Sequence, residues 1–280
     1  MRKKLVTTLI VAILLSFGSF SASAEQLQLS PEFWWSARDD GPRDGVFDRL
    51  LGEPNHTQVV INNWLESRHA LEFDVAALTG KRIDSGVLNV CIERWGTANQ
   101  ILELHGYDGD GVLELADYAK SHEIESQTAS HLGDGLMTFD VSDHVSGIAA
   151  RGIGHAGYNL RERFAGLNFL MWVVDRCGLP GGPELVIDFS DPTPAELLNE
   201  LISRVINLNI ATGISNSLDA KLENALAALE DAKHNNDHSA VNMLNAFINH
   251  VEAQRGQKLT DEQADLLISA AQAIIDKLTA

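Results

Sequence analysis

The sequence predicts two folds in one chain. An antiparallel β-sandwich of jelly-roll type spans residues 25–190, a linker covers 191–194, and an antiparallel four-helix bundle fills 195–280. Three observations predict it. Leu71, Phe73 and Val75 alternate with Ala70, Glu72 and Asp74, and Leu88, Val90 and Ile92 alternate with Asn89, Cys91 and Glu93. This is the period of a pleated strand with one apolar face. About nine to ten such short segments before Ser190 match the count of a two-layer sheet fold. Beyond Asp191-Pro192-Thr193-Pro194 the period changes to that of helices, and glycine and aromatic residues become scarce.

The chain opens with Met-Arg-Lys-Lys, an apolar run from Leu5 to Leu15, and Ser21-Ala22-Ser23-Ala24. That order is the pattern of a secretory leader over residues 1–24, cut between Ala24 and Glu25. The apolar run is short for a membrane span, so the expectation is a secreted protein, extracellular or periplasmic and not membrane-spanning. The formal net charge is −18, and removing Arg2, Lys3 and Lys4 makes it −21. A surface this negative repels phosphate backbones and anionic lipid, which argues against nucleic-acid and membrane-surface partners.

Phe33, Trp34 and Trp35 begin the first strand, ahead of turns marked by Gly41, Pro42 and Gly45. Strands follow at Thr57–Leu65, at the two segments quoted above, and at Gln100–Tyr107, which closes on a tight turn at Asp108-Gly109-Asp110-Gly111. Val112–Tyr118 continues from it. Lys120–Asp134 lacks periodicity and reads as a loop. Leu136–Val141 is a strand, Ser142–Ala150 a turn or helix, and Tyr158–Phe164 a strand rich in Arg. Leu167–Val174 is apolar on both faces, as a central strand is. Glu184–Phe189 completes the series.

In the tail, Thr193, Pro194 and Glu196 have the spacing of an N-cap, a first-turn proline and a capping-box acid, and Thr260 with Gln263 repeats the box. Leu197, Leu201, Val205 and Leu208 line a first helix that Gly213 ends. Further helices are expected at about 216–233, 239–254 and 260–278.

The tail resembles the FIMAH domain, a helical module of exported bacterial proteins. The segments that carry the resemblance are Asp219–Ala225, Ala240–Val251 and Ala264–Asp276. It departs from the family at Asn249, within Phe247-Ile248-Asn249-His250, where the signature that names the family differs. The resemblance implies an accessory module with no established active site. The β part is similar to jelly-roll modules appended to polysaccharide-active enzymes and bacterial extracellular proteins, on Leu71–Leu88, Phe139-Asp140-Val141-Ser142 and Leu167–Val174.

Among candidate sites, an indole face complements the C–H face of a sugar ring, so Trp34, Trp35 and Trp95 are the expected ligand-binding residues. Ordinary packing is the competing reading, and alternation sends only one of Trp34 and Trp35 outward. Trp172, in the most buried strand, reads as core. Asp108 and Asp110, with Glu114 and Asp117 nearby, offer hard oxygens to a structural Ca²⁺, as do Asp39, Asp40, Asp44 and Asp48, although a plain turn is the better reading of the first run. His69 and His105 are expected on the surface. Cys91 and Cys177 can pair as a disulfide in an exported chain, the alternative being two unpaired cysteines.

No Gly-x-Ser-x-Gly elbow, His-Glu-x-x-His helix or phosphate-cradling glycine loop occurs. The expected function is therefore a non-catalytic exported protein whose β-sandwich binds a glycan or cell-surface polymer and whose helices contact a protein partner or the envelope. A polysaccharide-acting hydrolase or lyase, or a structural matrix protein, is the alternative.

Overall fold

A computed structural model describes residues 9–12, 24–40, 45–51, 56–61, 65–95, 100–120, 122–130, 133–163, 170–179, 182–208, 210, 212–230 and 237–280. The chain divides into two compact units, Met1–Asp191 and Pro192–Ala280. The first contains strands β1 (Leu9–Ala12), β2 (Glu25–Leu29), β3 (Phe33–Asp40), β4 (Arg49–Leu51), β5 (His56–Ile61), β6 (Leu65–Asp74), β7 (Arg82–Trp95), β8 (Gln100–Gly109), β9 (His122–Ala129) and β10 (Gly133–Asp140). Helix α1 (Ser142–Ala150) and strands β11 (His155–Glu162), β12 (Leu170–Val174) and β13 (Glu184–Ser190) complete it.

These strands form two antiparallel layers, a β-sandwich-like arrangement. In the first layer β7 is the central member: its Arg82–Asn89 part pairs with β13, Cys91–Trp95 pairs with β12, and its opposite edge pairs with β10. Beyond β13 lie β2 and then β1. The second layer runs β4, β3, β6, β11, β8, β9. Strand β5 joins the layers, pairing with β12 through His56–Val59 and with β6 through Val60 and Ile61.

The alternating residues meet between the layers. Leu71, Phe73 and Val75 from one side and Leu88, Val90 and Ile92 from the other are fully buried in one core with Leu102, Leu104, Phe139, Tyr158, Leu185 and Ile187. Phe73 and Tyr158 contact edge to face at 6.0 Å between ring centres. Burying aromatic and branched side chains on both inner faces supplies the main driving force for closing the layers.

Three expectations are corrected. Lys120–Asp134 is not a loop, because His122–Ala129 forms β9. It is an edge strand paired only with β8 and its central residues are half-buried, so no apolar face marks it in the sequence. Val112–Tyr118 is not strand. It turns into a short 3-10 helix at Leu115–Tyr118, closed by reciprocal bonds between Glu114 and Asp117. His69 is not on the surface: it shares parity with Leu71 and Phe73, is fully buried, and sits edge-on to Trp34 at 5.9 Å. Burial pushes its imidazole down to about 3, which keeps it neutral.

In β12, Val173 and Val174 are both fully buried, as a strand covered on both faces requires. Val173 joins the main core, while Val174 packs with Cys91, Cys177 and Leu179. Cys91 and Cys177 form a disulfide across 86 residues. It ties the connection after β12 to the central strand. Gly182, further along that connection at φ +101°, rests against the Trp34 indole, where a side-chain carbon would come within 2.7 Å of the ring.

The second unit has α2 (Pro194–Asn207), α3 (Thr212–Glu230), α4 (Asp237–Gln254) and α5 (Asp261–Thr279). Helix α2 packs on α3 and α5, and α4 packs on the same two. Leu201, Val205, Leu222, Leu244, Phe247, Val251, Leu267 and Ile274 share the core. Both capping boxes form: Thr193 Oγ1 accepts from the Glu196 amide at 3.2 Å, and Thr260 Oγ1 from the Gln263 amide at 3.2 Å. Gly213 does not end the first of these helices; it lies in the opening turn of α3.

Replacing Cys91 and Cys177 together by Ala removes a cross-link over a long loop. Urea unfolding is expected to show a loss of about 2–5 kcal/mol in the β unit.

Candidate functional site

Because β6 sends Leu71 and Phe73 inward, it sends Ala70 and Glu72 to the outer face of the second layer. Register places Trp35, Ala70, Asn159, His105 and Glu123 in one row across β3, β6, β11, β8 and β9. The next row holds Phe33, Glu72, Gly157 and Tyr107. This face has three parts: an apolar edge, a covered polar layer and a network of ions.

The covered layer lies under the segment joining β8 to β9. Glu72 Oε2 accepts the amides of Asp110 at 3.1 Å and Gly111 at 2.8 Å. The Asn159 amide donates to the carbonyls of Asp117 at 2.6 Å and Lys120 at 2.9 Å. The Tyr107 ring lies across Gly157, in space that a Cβ there would fill, and the Lys120 ammonium stands 5.1 Å from its centre. Tyr118 fills the gap over Ala37, Ala70 and Phe47, and its hydroxyl donates to the Trp35 carbonyl at 3.1 Å. Glu72 and Tyr118 are fully buried. Burial pushes the Glu72 carboxyl above its usual range, opposed by the Gly111 amide.

Toward β9, Glu103, His105 and Glu123 bring their ligand atoms within 4.8 Å of one another, the one such grouping among the described residues. Arginines already occupy it. Glu103 accepts from Arg161 at 2.9 Å and from Arg163, and Arg163 also donates to Glu123 at 2.6 Å. His105 Nε2 lies 3.0 Å from Glu103. Two guanidiniums neutralise the two carboxylates, so the cluster is a closed ion network on the sheet. His105 was expected at the surface, yet this network covers it to 2 % exposure. Burial by itself would raise the Glu103 carboxyl; hydrogen bonds from Arg163, His105 and Arg161 outweigh it and hold the group at about 2.

The apolar edge belongs to β3 and β4. Trp35 is 38 % exposed, Phe33 is half-buried two residues before it on the same face, and Leu50, opposite Ala37, is also exposed. Trp34 points inward and is core. Trp95 ends β7, and its side chain, like those of Trp64 and Trp172, lies outside the described residues.

The aspartates considered for Ca²⁺ are engaged one by one. Asp108 accepts two bonds from Arg151 at 2.7 and 2.8 Å, and Asp110 Oδ1 accepts the Val112 amide at 2.9 Å. Asp39 receives the Gly45 amide and Asp48 the Asp40 amide, which shapes the β3–β4 hairpin; Asp44 lies outside the described residues. Among the described residues, neither set brings three ligand side chains together as Glu103, His105 and Glu123 are brought.

Sequence reasoning missed a groove between β9 and α1. It comprises two adjoining hollows of about 280 and 380 Å³ that share Ile124, Asp143 and His144, with Glu125, Asp140 and Ser142 lining one and His122, Glu123 and Arg151 the other. Its one signal in the sequence is His122-Glu123, where a His-Glu-x-x-His pattern stops short.

The Glu103 network gives a pH prediction. A carboxyl lowered from 4.5 to about 2 adds stability that is complete above pH 4.5 and is lost as pH falls through about 2. Glu103→Gln should therefore be less stable than the parent at pH 6, with a gap of up to about 3 kcal/mol that closes toward pH 2. Urea unfolding across that range measures it.

No curated protein sequence matches this chain. Among solved structures, a chain of the T13 particle of infectious bursal disease virus is 8% identical at a TM-score of 0.22, covering 64% of this chain and 40% of that one. A structure of the Gx strain of the same virus gives 7% identity, a TM-score of 0.22, and coverage of 64% and 41%. This chain thus spans about two fifths of those viral chains, and a likeness so weak carries no argument. The tail is different: residues 198–276 match the model of the FIMAH domain, and the C-terminal unit of this chain carries that domain.

Proposed function

We propose that the chain is exported, cut after Ala24, and acts without catalysis. Its β unit binds a glycan or cell-surface polymer at the β3–β4 edge, and its FIMAH domain serves as an accessory interaction module. The observation that carries the reading is the exposed Trp35 ring beside Phe33 and Leu50 on one outer face. An exposed indole is a platform for sugar rings, and Phe33 and Leu50 extend it on the same face. Deeper on that face Glu72 and Asn159 bond the covering backbone and Glu103 bonds two arginines, so contact falls to the edge.

A glycan array and pull-down on insoluble polysaccharides test this reading. Trp35→Ala is expected to weaken binding at least tenfold, at a smaller loss of stability than Trp34→Ala because Trp35 is 38 % exposed. Trp34→Ala is expected to cost about 3–5 kcal/mol, as removal of a core indole does. Binding that survives Trp35→Ala, or no binding to any polymer, counts against the reading.

A further inference from the structure

We propose that β2 is a strand edge uncovered by leader cleavage, and that a second copy of the mature chain pairs with it. The inference rests on the leader reading above. In the full chain, Leu9–Ala12 lies antiparallel on β2, with Leu9 opposite Gln28 and Ala12 opposite Glu25. Those four residues belong to the leader. Cutting after Ala24 removes them and leaves one side of β2 without a backbone partner, while its other side stays paired to β13. An open row of amides and carbonyls accepts another strand.

The sequence of β2 fits a second copy as that strand. Natural edges are guarded by lysine, proline or a bulge, and Glu-Gln-Leu-Gln-Leu carries none of these. Leu27 and Leu29 are buried in the core, and the exposed positions are Gln26 and Gln28, which bond to Asp188 and Glu184. Elsewhere a mature chain of net charge −21, the −18 of the full chain less Arg2, Lys3 and Lys4, repels its copies. Along β2 the outward side chains are neutral amides, so two copies can approach. A two-fold pair centred on Leu27 sets Gln26 of one copy against Gln28 of the other and joins the two first layers into one sheet.

Light scattering on residues 25–280 and on the full chain decides it. The shorter chain is expected at twice the chain mass, and the full chain, its edge covered, at the monomer mass. Gln26→Lys with Gln28→Lys keeps acidic partners for both lysines within the sheet but opposes like charges across the two-fold. That variant is expected to raise the dimer dissociation constant at least tenfold with an unchanged melting temperature. A monomeric 25–280 chain, a dimeric full chain, or a dimer indifferent to the lysines overturns the proposal. Sequencing the N-terminus of exported protein tests the leader separately: an intact Met1 refutes cleavage, whereas the mass of the 25–280 chain speaks to the edge alone.

Discussion

The β unit depends on satisfying both edges of β7. A buried strand must place every amide and carbonyl, and this one is 14 residues long. It does so by taking β10 along one edge and β13 followed by β12 along the other. Those partners come from far apart in sequence, so the strand fixes where the later third of the unit must return. The Cys91–Cys177 bond pins that return at the point where β12 leaves the strand. Once β7 is paired, Leu88, Val90 and Ile92 present a continuous apolar face that only a second layer can cover.

That second layer shows what happens when a sheet has polar residues on its far side and yet is partly covered. Glu72, Asn159, Glu103 and His105 are all buried outside the main core. Each costs free energy unless bonded, and each is bonded: Glu72 to the amides after β8, Asn159 to carbonyls of the same connection, Glu103 to two arginines. The covering segment is held by these bonds and by Tyr118, and it contributes little apolar area of its own. The arginine-rich look of Arg161 and Arg163 belongs to this arrangement. Their charges answer Glu103 and Glu123, which explains how a strongly acidic chain holds a positive cluster on one sheet.

Much of the fold could be read from the residues. Alternation located β6, β7, β10 and β13, because each has one dry face, and the capping boxes located the starts of α2 and α5. Failures came where a side chain's surroundings are set from elsewhere. His122–Ala129 lies at a sheet edge without a dry face, so its period was invisible. His69 reads as polar, but its parity with Leu71 sends it inward, where burial keeps it neutral against the Trp34 ring. At the candidate site, the residues name Trp34 and Trp35 without deciding which faces water; Trp34 is core and Trp35 is exposed. Sequence reasoning overlooked Leu50, whose place beside Ala37 is a fact of register.

Placing the proposed contact at an edge follows from how the volume of the unit is used. The space between the layers is filled by side chains from both sheets, and the outer face of the second layer is closed by its own ions and by the segment after β8. Among the described residues, what stays open is the rim: the β3–β4 edge with an exposed indole, and the groove beside α1. A ligand met at a rim makes contacts on one side only, so its recognition favours repeated, extended polymers, whose many weak contacts add along a chain. The exposed indole at that rim is the physical basis of the proposal that the unit holds a long molecule at its surface.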